Sequence, residues 1–187
     1  LLHRRTAKIM ESDGLKIGVI GAGAWGTALA RLLASSGNSV QLWCHEPETA
    51  KNILQKHVNT SFLPDILLPE TLGASTDLLE IVRNSRILVA APPSHLTREI
   101  AKKIRPEITA EHILLILSKG IEQHSLALMS EIFAEELDNL PILAVLSGPT
   151  FAREVALDLP SAAVLACADE TAGSLLQKCF HSYRFRI

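Results

Sequence analysis

The sequence predicts an α/β domain built on a doubly wound, mostly parallel sheet. Three observations predict it. Strand-like and helix-like segments alternate along nearly the whole chain, which is the pattern of a parallel sheet covered by helices. The runs Ile87-Leu-Val-Ala-Ala91, Ile113-Leu-Leu-Ile-Leu117 and Ile142-Leu-Ala-Val-Leu146 are apolar throughout, as suits strands buried on both faces. The segment Leu15-Lys-Ile-Gly-Val-Ile-Gly-Ala-Gly-Ala-Trp-Gly26 reads as a strand, a glycine turn and a helix start.

The elements follow in order. Lys16 to Ile20 is the first strand, and Ala24 to Ser35 the first helix, stopped at Gly37-Asn38. Val40 to Trp43 is the second strand. Glu46 to Lys56 is helical, with Pro47 early, where its missing N–H is harmless. Asn59 to Pro69 is a proline-marked loop. Asp77 to Arg83 is a short helix and Arg86 to Ala90 a strand running into Pro92-Pro93. Ser94 to Ile104 is a helix capped by Ser94. Ile113 to Leu117 is a strand, Leu126 to Leu137 a helix and Ile142 to Leu146 a strand. Ala162 to Cys167 is another apolar run, Glu170 to Phe180 a helix, and Tyr183 to Ile187 a last strand.

Composition bounds the function. Of 187 residues, 48% are hydrophobic and 20% charged, which describes a globular chain with a sizeable core. A net charge of −2 and 4% aromatics argue against a nucleic-acid surface. No apolar stretch reads as a membrane span. The first ten residues are charged and lack the apolar core of a signal peptide. Residues 1–14 read as an N-terminal extension, with Met10 a candidate start, and 15–187 as one domain. Cys44, Cys167 and Cys179 are odd in number and widely spaced, so they form neither a disulfide framework nor a paired metal site. A reducing, cytoplasmic compartment is the simplest reading. Asn59-Thr60-Ser61 matches a glycosylation sequon and is read as a chance match. No clustering of His and acidic residues points to a metal.

Gly21-x-Gly23-x-x-Gly26 fits the dinucleotide fingerprint. Gly21 permits the tight turn, Gly23 lets the backbone approach a pyrophosphate, and Gly26 lets the helix pack on the sheet. The helix N-terminus then offers N–H groups to phosphate. Ligands in such sheets lie beyond the carboxyl ends of the strands, which selects the loops at Gly21–Gly26, Cys44–Glu46, Ala91–Ser94, Ser118–Gly120 and Ser147–Phe151.

Those loops carry a more specific pattern. Gly-Ala-Gly-Ala-Trp-Gly-Thr-Ala-Leu-Ala (21–30), Val40-Gln-Leu-Trp43, Asn59 with Phe62-Leu-Pro64, Ser118-Lys-Gly-Ile-Glu122, Ser147-Gly-Pro-Thr-Phe-Ala-Arg-Glu-Val155 and Phe185-Arg186 occur in this order. With them the sequence resembles the NAD(P)-dependent glycerol-3-phosphate dehydrogenases of bacterial type. The resemblance implies a Rossmann-like cofactor domain and reduction of dihydroxyacetone phosphate to sn-glycerol 3-phosphate, a glycerophospholipid precursor, or the reverse. It also implies a helical C-terminal domain carrying the general-acid lysine in a Lys-Asn motif. Nothing after Phe185-Arg186 resembles that motif, so this chain is expected to bind cofactor at best. A homodimer is compatible with the resemblance.

The resemblance places Ala24 and Trp25 against the cofactor, Trp25 toward the nicotinamide; a core aromatic is the alternative for Trp25. Lys119 follows a buried strand, where its charge can neutralise phosphate or polarise a ketone oxygen. The resemblance sets it against both cofactor and substrate, as the catalytic residue of this part; the alternative is a solvated lysine. Gly148 and Thr150 are expected at the substrate's glycerol-phosphate oxygens, or else as a turn and helix cap. Ala152 is expected near the cofactor. Pro92 is expected to shape the cofactor groove, or to be a simple turn proline. At the tip of the second strand, where a carboxylate would favour NAD, stands His45. It suits a 2′-phosphate, so NADP(H) is favoured and NAD(H) remains possible; Glu46 beside it weakens the argument. The rival functions are a dehydrogenase of the 6-phosphogluconate or ketopantoate type, a non-catalytic nucleotide-binding module, and a fragment that binds nothing.

Overall fold

The computed structural model describes residues 15–187; the expected extension, 1–14, lies outside the described residues. In chain order the strands are β1 (Lys16–Ile20), β2 (Ser39–Trp43), β3 (Gly73–Ser75), β4 (Ile87–Ala90), β5 (Ile113–Ile116), β6 (Ile142–Ser147), β7 (Ser161–Ala162), β8 (Val164–Cys167) and β9 (Phe185–Arg186). The helices are α1 (Ala24–Ser35), α2 (Pro47–Lys56), α3 (Leu78–Asn84), α4 (Thr97–Ile104), α5 (Met129–Glu136), α6 (Ala152–Ala156) and α7 (Glu170–Phe180).

A seven-stranded sheet runs in the order β3-β2-β1-β4-β5-β6-β8. Every neighbouring pair is parallel except β6 with β8, which is antiparallel. The chain winds outward from β1 to β3, then crosses back so that β4 lies on the other side of β1. A crevice therefore opens between the exits of β1 and β4, the place where such sheets bind ligands.

Alternation along the strands splits the core into two layers. Ile87, Val89, Ile113 and Leu115 face one side with Leu29 and Leu33 of α1 and Phe180 of α7. Leu88, Ala90, Leu114 and Ile116 face the other, with Ile81 of α3, Ile104 of α4 and Phe133 of α5. β4 and β5 are buried along their whole length. Their continuous apolar runs are thus a consequence of cover on both faces, each fully buried Leu or Ile contributing roughly 1.5–3 kcal/mol.

The departures from the sequence reading are local. β3 was not anticipated, because Gly73-Ala-Ser75 has no apolar run and is held only at the sheet edge by β2. The helix after β4 begins at Thr97, not Ser94: Ser94–Leu96 first forms a 3₁₀ turn, and the Ser94 side chain caps nothing. Leu126 has φ +60°, a left-handed conformation that breaks the helix expected from that residue, so α5 starts at Met129. The apolar run at 162–167 divides into β7, which pairs with β9 in a separate two-stranded sheet, and β8.

Candidate functional site

The turn after β1 shows why its three glycines are not equivalent. Gly21 has φ +113°, which costs a side-chain-bearing residue dearly, and its N–H donates to the Trp43 carbonyl at 3.3 Å. A Cβ on Gly26 would collide with the Gly21 carbonyl oxygen. Both are demanded by the chain itself. Gly23 is not: its φ is −65°, and a Cβ there would meet nothing within 4 Å. Gly23 also caps α1 without a side chain, and the first turn of the helix holds no acidic residue. The positive end of α1 is therefore left without an anion of the protein's own, beside open space that a phosphate would fill.

The turn is braced from behind. Asn59, fully buried, donates through Nδ2 to the Ala22 carbonyl and to Thr27 Oγ1, both at 2.8 Å. Its Oδ1 accepts from the Phe62 N–H at 3.2 Å, and Thr27 Oγ1 donates to the Ala22 carbonyl at 3.2 Å. Asn59 is thus a structural strut, closed to modification. Its role was invisible in the sequence because its partner Ala22 lies 37 residues away.

The strand exits surround a cleft of about 680 Å³, a volume suited to a cofactor-sized ligand. Gly21, Gly23, Ala24, Trp25 and Gly26 form its floor; His45, Pro92, Lys119, Thr150 and Ala152 come to its walls from other exits. Lys119 Nζ donates to the Gly148 carbonyl at 3.3 Å and sits 6.0 Å from the centroid of the Trp25 ring. Gly148 itself is not part of the wall. Its lack of a side chain makes room for β7, since a Cβ would lie 2.9 Å from the Ala162 carbonyl oxygen. Two polar atoms in the walls, Trp25 Nε1 and Thr150 Oγ1, are buried without a hydrogen-bond partner among the described residues. Such atoms are costly to leave unpaired, at about 1–3 kcal/mol each.

The loop bearing Lys119 is pinned at its start by a neutral bond and farther along by charge. Ser118 Oγ donates to the Pro92 carbonyl at 2.6 Å, tying the exits of β5 and β4 together. Farther along, Arg98 of α4 grips Glu122 at 2.8 and 2.7 Å and also reaches Glu136 at 2.5 Å and Glu135 at 2.8 Å. Hydrogen bonds from Arg98 and Ser125 hold the Glu122 carboxyl down at about 2. Near the tip of β2, Cys44 is buried, and its thiol is pushed up to about 12 by burial and the Glu46 charge. That makes it inert as a nucleophile. Among the described residues no cluster of three His, Cys, Asp or Glu side chains is gathered as a metal site would require. No helix among them is long and apolar enough to cross a membrane. The walls also include Phe62, Leu96, Glu99, Ile100 and Lys103, which the sequence reading did not select. Leu96 and Ile100 are four apart across the start of α4, a spacing that the sequence does not distinguish from core packing.

A parallel sheet whose strand order reverses beside β1, with a glycine turn delivering an unclaimed helix N-terminus into the crevice, defines a Rossmann-type dinucleotide-binding domain. The chain belongs to the family described as NAD-dependent glycerol-3-phosphate dehydrogenase N-terminus, which matches residues 16–173. It is 41% identical over 174 residues to a glycerol-3-phosphate dehydrogenase (NAD(P)+) of Leptospira biflexa, covering 92% of this chain and 52% of that protein. Against the protein of the same name from Paramagnetospirillum magneticum it is 45% identical over 171 residues, covering 91% and 62%. The crystal structure of glycerol-3-phosphate dehydrogenase from Coxiella burnetii superposes with a TM-score of 0.87 at 35% identity, over 92% of this chain and 53% of that one. The chain spans about half the length of the curated relatives it matches.

Proposed function

We propose that residues 15–187 are the dinucleotide-binding domain of a longer NAD(P)-dependent dehydrogenase that interconverts dihydroxyacetone phosphate and sn-glycerol 3-phosphate. The observation that carries this reading is the meeting of Lys119, Trp25 and the unpartnered Thr150 hydroxyl in one cleft above the glycine turn. The nicotinamide cofactor, when bound, supplies or accepts the hydride. The chain's part is position and charge. The N–H groups of Ala24, Trp25 and Gly26 at the start of α1 receive the pyrophosphate. Pro92 and Ala152 shape the groove. Reduction of a ketone builds negative charge on its oxygen, and the Lys119 ammonium offsets that charge. Thr150 Oγ1, with Gly148 beside it, donates to an oxygen of the substrate. His45 at the tip of β2 supports NADP(H) over NAD(H). A cytoplasmic setting belongs to the same reading and rests on the widely spaced cysteines.

Two measurements test it. NADPH and NADH fluorescence titrations of the 187-residue chain are expected to show saturable binding. In the longer protein, Lys119→Ala is expected to cut kcat by on the order of 10²-fold, the scale of one lost electrostatic donor, with nucleotide affinity nearly unchanged. Near-normal kcat in that variant removes Lys119 from the chemistry.

A further inference from the structure

The far end of the cleft carries charges that the glycine fingerprint does not call for. His45 and Glu46, just beyond β2, form one wall there; Leu96, Glu99 and Lys103 of the facing segment form the other. Glu99 and Lys103 are one turn apart on α4, and Lys103 Nζ meets Glu99 Oε1 at 2.6 Å. As a helix-surface pair it contributes little to stability. Its placement is what matters. In dinucleotide sheets the group that reads the ribose 2′ position stands at the tip of the second strand. Here that tip carries His45, and Glu99 lines the same cleft from α4.

We propose that Glu99 and Lys103, facing His45, form a two-way selector for the cofactor's 2′ substituent: a ribose 2′-hydroxyl donates to Glu99, and a 2′-phosphate accepts from Lys103 and His45. This deepens the preceding reading and rests on it. An ammonium group has three donors, so Lys103 holds Glu99 and a phosphate oxygen together. The phosphate meanwhile meets like charge from Glu99 and Glu46. One member of the pair therefore rewards the group that the other opposes, and the site accepts both nucleotides with a ratio set by the pair. Leu96, in the turn before α4, and Ile100 on α4 line the same cleft and offer an apolar face to the adenine.

The test is a set of fluorescence titrations of the chain and two variants with NADH and with NADPH. Lys103→Gln is expected to weaken NADPH about tenfold, the effect of one lost charge-assisted contact, and to leave NADH within about twofold. Glu99→Gln is expected to shift the ratio the other way, tightening NADPH about threefold while weakening NADH. Raising the salt concentration is expected to weaken NADPH binding less in Lys103→Gln than in the parent. A pair that serves only its helix would move both nucleotides alike. An unmoved NADPH-to-NADH ratio in both variants, or shifts in the same direction, overturns the selector while leaving the dinucleotide reading intact. If the parent chain binds neither nucleotide, both fall.

Discussion

The turn after β1 and the loop after β5 both line the cleft and are held by opposite means. The turn is held by neutral groups: Asn59 is buried, its amide satisfied three times, and Gly21 and Gly26 interlock through backbone contact. Beyond the neutral bond from Ser118 to Pro92, the loop carrying Lys119 is held by ions, with one arginine shared among Glu122, Glu135 and Glu136. Buried neutral bonds are indifferent to salt and pH over the working range. Half-exposed ion pairs respond to both. The difference teaches that the two halves of the site are separable: one is rigid by packing, the other by charge.

The largest expected effect comes from Gly26→Ala. Its Cβ has no room against the Gly21 carbonyl, so the strand–helix junction must shift at a cost of about 3 kcal/mol or more. Chemical denaturation measures it, and a cost under 1 kcal/mol would show the interlock to be loose. Asn59→Ala removes the donor to Thr27 Oγ1, one of the two side-chain donors to the Ala22 carbonyl and the acceptor for the Phe62 N–H, and is expected to cost about 2–3 kcal/mol, independent of salt. A strong salt dependence would break the contrast between the two regions. Arg98→Ala is expected to lower Tm by on the order of 2–4 °C at neutral pH. Glu122 is more acidic folded than unfolded. Its contribution is complete above the ordinary carboxylate value of 4.5 and is lost as pH falls toward about 2. The Tm gap between Arg98→Ala and the parent should therefore close across that window; a constant gap means the ions are not what holds the loop. The smallest effect on stability belongs to Gly23→Ala. Its backbone suits alanine and its Cβ meets nothing, so the fold should gain about 0.5 kcal/mol. On the proposed reading nucleotide binding should nonetheless weaken, since the added methyl would take up open space proposed for the pyrophosphate.

The two regions also differed in how much of them could be read. The turn after β1 was legible because every signal is local: an apolar strand, glycines at fixed spacing, then a helix-forming run. The helix after β4 was legible in existence but not in its start. A serine after two prolines is a cap by local rules, yet the Leu96 N–H bonds to the Pro93 carbonyl at 2.9 Å and closes a 3₁₀ turn first. The edge strand β3 and the five-residue α6 lacked the length to show a period. Lys119 and Thr150 stand out in their loops at strand ends, but the sequence holds no sign of the Lys119 contact with Gly148 or of the Glu99–Lys103 pair in the wall of the same cleft.

The sequence by itself determined the alternation of strands and helices, the two-sided burial of β4 and β5, and the glycine turn with its anion-ready helix. Each of these follows from spacing, backbone freedom or apolar run within a dozen residues. Only the tertiary structure decided that Asn59 braces that turn, that β8 runs antiparallel to β6, and that loops spread from Gly21 to Ala152 converge on one cleft. Those outcomes depend on the order of strands in the sheet, which brings together groups whose separation along the chain carries no local signal.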